Sequence, residues 1–86
     1  MVKEEVKMFG NPKLIALPVI ASFDANGNIC PLYFRYNGKS MKLSVISRKE
    51  CLPTIEFLCS YEDDGYFGQI ELSYWVTQHT WTYLSK

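Results

Sequence analysis

The amino-acid sequence predicts an all-β fold: an antiparallel meander of five to six strands curled into a small barrel, with a short N-terminal arm. Two turn dipeptides carry that prediction, Asn37-Gly38 and Asp64-Gly65, each flanked by runs rich in Phe, Tyr, Ile and Leu. Asn-Gly and Asp-Gly supply the positive φ that a two-residue type I′ hairpin requires. The registers they set bury coherent faces. Around Asn37-Gly38, Tyr36 pairs with Lys39 and Phe34 with Met41, so one face collects Leu32, Phe34, Met41 and Leu43. Around Asp64-Gly65, Tyr61 falls against Gly68, Cys59 against Ile70 and Phe57 against Leu72. A slip of one residue would turn every one of these side chains over, so the agreement supports the register as well as the class. The third observation is an aromatic content of 15% in 86 residues, because bulky strand-favouring rings fill a small core efficiently.

Each element follows in order. Residues 1–13 read as an arm, since Gly10-Asn11-Pro12 stops any helix begun in Lys3–Phe9 before it is long enough to persist. Residues 14–86 then form a single β domain. Leu14–Phe23 is the first strand, and Pro18 within it marks an edge or a bulge. Asp24–Asn28 is a turn with two readings. A two- or four-residue loop sets Ala21 beside Leu32, whereas a three-residue loop with Gly27 in the left-handed region shifts that parity. Ile29–Tyr36, Lys39–Ser47, Thr54–Tyr61 and Tyr66–Val76 follow as strands. Arg48–Pro53 is the one connection without a tight-turn signature. Thr77–Thr80 permits a final hairpin, with Val76 facing Trp81 and Tyr74 facing Tyr83. Short links between consecutive antiparallel strands make a meander, and so short a chain covers its apolar face most simply by curling.

Few residues carry the marks of chemistry. His79, the single histidine, sits at a predicted hairpin tip and reads as an exposed turn residue. A nucleophilic site would need it to converge with Cys51 in a cleft. The three cysteines match no zinc-ligand spacing. The hairpin registers point Cys59 inward opposite Ile70 and Cys30 inward opposite Val45, as small buried hydrophobes. Cys51, just before Pro53, is the one expected at the surface. Glu62-Asp63-Asp64-Gly65 reads as ordinary turn chemistry rather than a cation loop. No phosphate-cradling loop or other enzyme motif is present, so neither catalysis, a metal, a cofactor nor a small-molecule substrate is expected.

Charge says more. The net charge is zero, yet Ala25–Lys49 holds five basic residues and no acid, while Glu50–Ser85 holds six acids and neither Lys nor Arg. Blocks of opposite sign in different strands predict a two-signed surface. Tyr33, Arg35 and Lys42, with Lys39 at the turn, form the basic contact set. It suits a protein partner or a second copy of the chain, and an aromatic among cations also suits single-stranded nucleic acid. Leu58, Phe67 and Trp75 fall on the outward face of the second hairpin as an apolar contact patch. An odd cysteine count and the absence of a signal-peptide pattern point to the cytoplasm. Leu14–Phe23 is too short and too interrupted to be a membrane helix.

The stretch from Leu17 to Lys39, with its LPVIASFD strand, DxxGxI turn and PLYxR strand, resembles a pattern in small proteins of Gram-positive, particularly clostridial, bacteria, some of which travel with mobile elements. Lys42-Leu43, Phe57, Ile70–Tyr74 and Trp81 continue the resemblance, which covers about two thirds of the chain. It implies a small bacterial cytosolic β protein and assigns no activity and no site residue.

Overall fold

The computed structural model describes residues 13–85, so the predicted arm, apart from Lys13, lies outside the described residues. Seven strands build one antiparallel sheet: β1 (Lys13–Ala16), β2 (Val19–Phe23), β3 (Ile29–Tyr36), β4 (Lys39–Cys51), β5 (Thr54–Asp63), β6 (Tyr66–Trp75) and β7 (Thr80–Ser85). Their spatial order is β1-β7-β6-β5-β4-β3-β2. The two edge strands, β1 and β2, are therefore joined by Leu17-Pro18 alone. In a flat sheet of this width the edges would stand about 29 Å apart, at ~4.8 Å per strand step. A two-residue link reaches only about 10 Å. The sheet must curl until both edges meet the same short segment.

Two hydrogen bonds mark that seam. The Leu17 N–H donates to the Trp81 carbonyl on β7 (3.0 Å), and the Arg35 N–H on β3 donates to the Pro18 carbonyl (3.0 Å). Pro18 has no N–H and cannot extend the ladder with β7. The predicted first strand is thus two strands, and the count is seven rather than five to six. The all-β, curled, barrel-like architecture is as predicted.

Both hairpins that anchored the prediction hold. Asn37 and Gly38 take φ of 52° and 78°, and Asp64 and Gly65 take 50° and 85°. Tyr36↔Lys39 through Tyr33↔Lys42 pair as counted, and the β5–β6 ladder runs without interruption from Thr54↔Trp75 to Asp63↔Tyr66. At Asp24–Asn28 the parity-shifting alternative is realised, with Gly27 at φ 82° and Phe23 opposite Ile29. The Asp24 carboxylate accepts the Asn28 N–H (2.9 Å), the Asn28 side-chain amide (3.1 Å) and the Asn26 N–H (2.8 Å). Those bonds, Asn28 foremost, hold its carboxyl below the ordinary value.

Three further expectations need correction. First, Ile20 pairs Tyr33 but Ala21 pairs Pro31, so Leu32 is an extra residue on β3. This bulge turns Ile29 and Pro31 inward and leaves Leu32 38% exposed and Cys30 exposed, where both were expected inside. Second, Arg48–Pro53 is not an irregular connection. β4 continues to Cys51, opposite Thr54, and a two-residue tip with a cis Leu52-Pro53 bond reverses the chain. Third, the last hairpin closes as Trp75↔Thr80, which sets Tyr74 opposite Trp81 and Leu72 opposite Tyr83. His79 closes the loop in this register: at φ 58° it donates its N–H to the Trp75 carbonyl (2.8 Å), while Val76 donates to Pro53 (3.1 Å). A shift of two keeps every side chain on its face, so Trp81 still enters the core.

The core runs along the inner faces of β5, β6 and β7, with Phe57 2% exposed and Cys59 and Leu72 fully buried. Trp81 packs against Phe57 and Tyr74, with ring centroids 5.6 and 5.0 Å apart. From β3 and β4, Phe34, Met41 and Leu43 close the other side.

Candidate functional site

Strand alternation on β3 and β4 places Tyr33, Arg35 and Lys42 outward, because Phe34 and Met41 take the inward positions. Tyr33 lies between Ile20 on β2 and Lys42 on β4 and is 40% exposed. A shallow groove of about 140 Å³ runs here, lined by Pro18, Val19, Ile20, Tyr33, Arg35 and Ser40 among others. Apolar and cationic groups therefore share one surface. Lys39 leaves this set. Its ammonium bonds Asp63, and Asp64 at 3.1 Å, tying the tips of the two type I′ hairpins together. The hydrogen bonds to Asp63 and then Asp64 raise its pKa above the ordinary lysine value. Arg48 sits 3.5 Å from Glu50. Among the described residues, Arg35 and Lys42 enter no ion pair of this kind.

Leu58, Phe67 and Trp75 lie on the outward face of β5–β6 and are spread along it. Phe67 and Trp75 are eight residues apart on one strand, about 26 Å at ~3.3 Å per residue. Leu58 and Trp75 are half-buried, and the Trp75 indole N–H donates to the Thr82 hydroxyl (2.9 Å). Phe67 is 74% exposed near the hairpin tip. The structure does not gather them into one patch. Glu62 and Glu71 occupy the same face, and the Glu56 carboxylate accepts the hydroxyls of Thr54 and Ser73 (2.6 Å to Ser73).

His79 shares a hydrogen bond between its Nδ1 and the hydroxyl of the buried Tyr74 (2.9 Å). That bond satisfies a phenol at the edge of the core. All three cysteines are free, with Cys30 and Cys51 exposed. Burial, with the Cys30 thiol adding to it, pushes the Cys59 thiol up to about 11, which makes it a poor nucleophile. Among the described residues no cluster of three His, Cys, Asp or Glu could hold a metal, and no helix is long and apolar enough to cross a membrane.

One feature escaped sequence reasoning. The curled sheet holds a cavity of about 520 Å³ near the two type I′ tips. Its floor is Phe34 and Met41, its walls include Tyr61, Ile70 and Tyr83, and Tyr36 stands at the rim. Described pairing of β6 with β7 stops at Leu72↔Tyr83, so Gln69 and Glu71 border the opening beyond it. Tyr61 lies across Gly68, where a Cβ would come within 2.6 Å of its Cζ. A strand glycine opposite a tyrosine was the signal available in the sequence. Burial, then the Tyr36 phenol, raises the Tyr83 pKa above its ordinary value.

Comparison with protein families, curated proteins and solved structures gives no match.

Proposed function

We propose that the chain is a non-enzymatic binding module that docks an acidic protein surface onto the outward face of β2, β3 and β4. The carrying observation is the grouping of Tyr33, Arg35 and Ile20 along one groove, with Lys42 paired to Tyr33 on the neighbouring strand. Such a face offers apolar area for affinity and two cations for orientation and approach rate. The acidic β5–β6 face of a second copy, with Glu62 and Glu71, is one surface of the required sign. Three free thiols support a reducing, cytoplasmic setting.

A second reading rests on Tyr33. An exposed ring flanked by cations is the stacking element that single-stranded nucleic-acid binders use. One experiment decides between the two. Binding of a poly-glutamate peptide and of an oligo-dT strand is measured at low and at high salt. Docking of an acidic protein surface requires that the peptide bind and that Arg35→Glu with Lys42→Glu abolish it. Peptide binding that survives this double reversal, or no peptide binding even in low salt, overturns the proposal. Oligo-dT binding that is salt-sensitive and lost in Tyr33→Ala transfers the assignment to nucleic acid.

A further inference from the structure

We propose that the cavity near the type I′ tips binds a small alkylammonium ion within the rings of Phe34, Tyr36, Tyr61 and Tyr83. This site is separate from the outward β2–β4 face and stands or falls without it. Aromatic faces carry the negative end of the ring quadrupole, which attracts a cation within about 6 Å of the centroid. Four such rings line one space of about 520 Å³, inside the range of about 300–1,000 Å³ that small-molecule sites occupy. The sign at the mouth agrees. Glu71, on the outward side of β6, borders the opening, and among the described residues no Lys, Arg or His lines the cavity. An anion would find no countercharge among the described lining residues.

The apolar floor selects further. Phe34, Met41 and Ile70 offer nothing to replace the water around a metal cation, which would remain hydrated outside. A cation dressed in methyl groups loses little hydration and gains contact with these side chains. The rings are also held in place before any ligand arrives. Phe34 meets Tyr61 edge-on, with centroids 5.2 Å apart, and Tyr36 meets Tyr83 at 84° and 6.1 Å. The absence of a Cβ at Gly68 is what lets the Tyr61 ring lie where it does. Rings already in place cost little ordering on binding.

The test titrates choline and its neutral isostere 3,3-dimethylbutan-1-ol into the full chain and follows the tyrosine ring resonances. Choline is expected to bind saturably and at least fivefold tighter than the isostere, the ratio that about 1 kcal/mol of cation–π attraction provides. Tyr36→Leu, at the exposed rim, is expected to weaken choline at least threefold with an unchanged thermal midpoint. Gly68→Ala, which moves the Tyr61 ring, is expected to weaken it as well. Equal affinity for the two probes overturns the proposal, and so does the lack of saturable choline binding. Choline binding indifferent to both substitutions overturns it too, because the ion would then lie elsewhere.

Discussion

The β5–β6 ladder and the β2–β3–β4 side of the sheet are built from similar residues and behave differently. Ten pairs run unbroken along β5–β6, and its inner face holds Phe57, Cys59 and Leu72, the most buried side chains of that region. The other side is interrupted by Leu32, where β3 pairs β2, and again by Ile46, where β4 meets β5, and both bulged residues are exposed. A bulge adds twist and bends its strand. The regular ladder therefore supplies cohesion, while the interrupted side supplies the curvature that lets Leu17-Pro18 reach both edges. It also supplies the surface on which Tyr33, Arg35 and Lys42 stand clear of the core. Regularity and exposure trade against each other across one sheet.

That contrast breaks most visibly if its two sides respond alike to truncation. Leu72→Ala removes a fully buried side chain and is expected to cost about 2–5 kcal/mol in chemical denaturation. Leu32→Ala, on its exposed bulge, should cost within about 0.5–1 kcal/mol. Comparable losses would mean that the bulged side is as much core as the ladder.

Next in size is the response to alkali. The folded Cys59 thiol titrates near 11 against an ordinary 9.0, so the unfolded chain gives up its proton first. Stability should then fall by about 2–3 kcal/mol between pH 9 and 11, at 1.36 kcal/mol per pH unit. Below pH 9 this contribution is constant. Cys59→Ala should flatten that part of the pH profile relative to wild type, and an unchanged slope would remove Cys59 as its source. Native alkylation sharpens the same point: Cys30 and Cys51 should label and Cys59 should not.

Smaller effects belong to the turns and the surface. Gly65 sits at φ 85°, so Gly65→Ala should cost about 1 kcal/mol or slightly more, seen as a lower denaturation midpoint with an unchanged slope. The Arg35→Glu, Lys42→Glu double variant should change stability by no more than about 0.5 kcal/mol, because both side chains lie outside the core. A large loss there would show that the basic face is part of the scaffold and not a surface set aside for contact.

Local chemistry accounts for how much of the fold could be read in advance. Asn37-Gly38 and Asp64-Gly65 each combine a positive-φ turn with a flanking apolar alternation, and the registers of β3 with β4 and of β5 with β6 follow from such neighbours. The errors fall where a distant contact chose between local options. Leu32 bulges where β2, entering from the Pro18 seam, pairs with β3. The last loop closes at Trp75–Thr80, held by the His79 N–H. Of the candidate contact residues, Tyr33, Arg35 and Lys42 stayed together because one hairpin register places all three. Lys39 left them because its partners, Asp63 and Asp64, come from another hairpin.

By itself, the sequence determined the all-β class, the two type I′ registers and the segregation of charge into a basic and an acidic half, since each depends on neighbours within a few residues. Only the tertiary structure decided that the first strand splits at Pro18, which short segment the curled edges share, and that Phe34, Tyr36, Tyr61 and Tyr83 line one cavity. The physical reason is loop closure. Those four rings lie up to 49 positions apart in the chain, and no local pattern brings β3 to β7 until a two-residue link draws both edges of the sheet together.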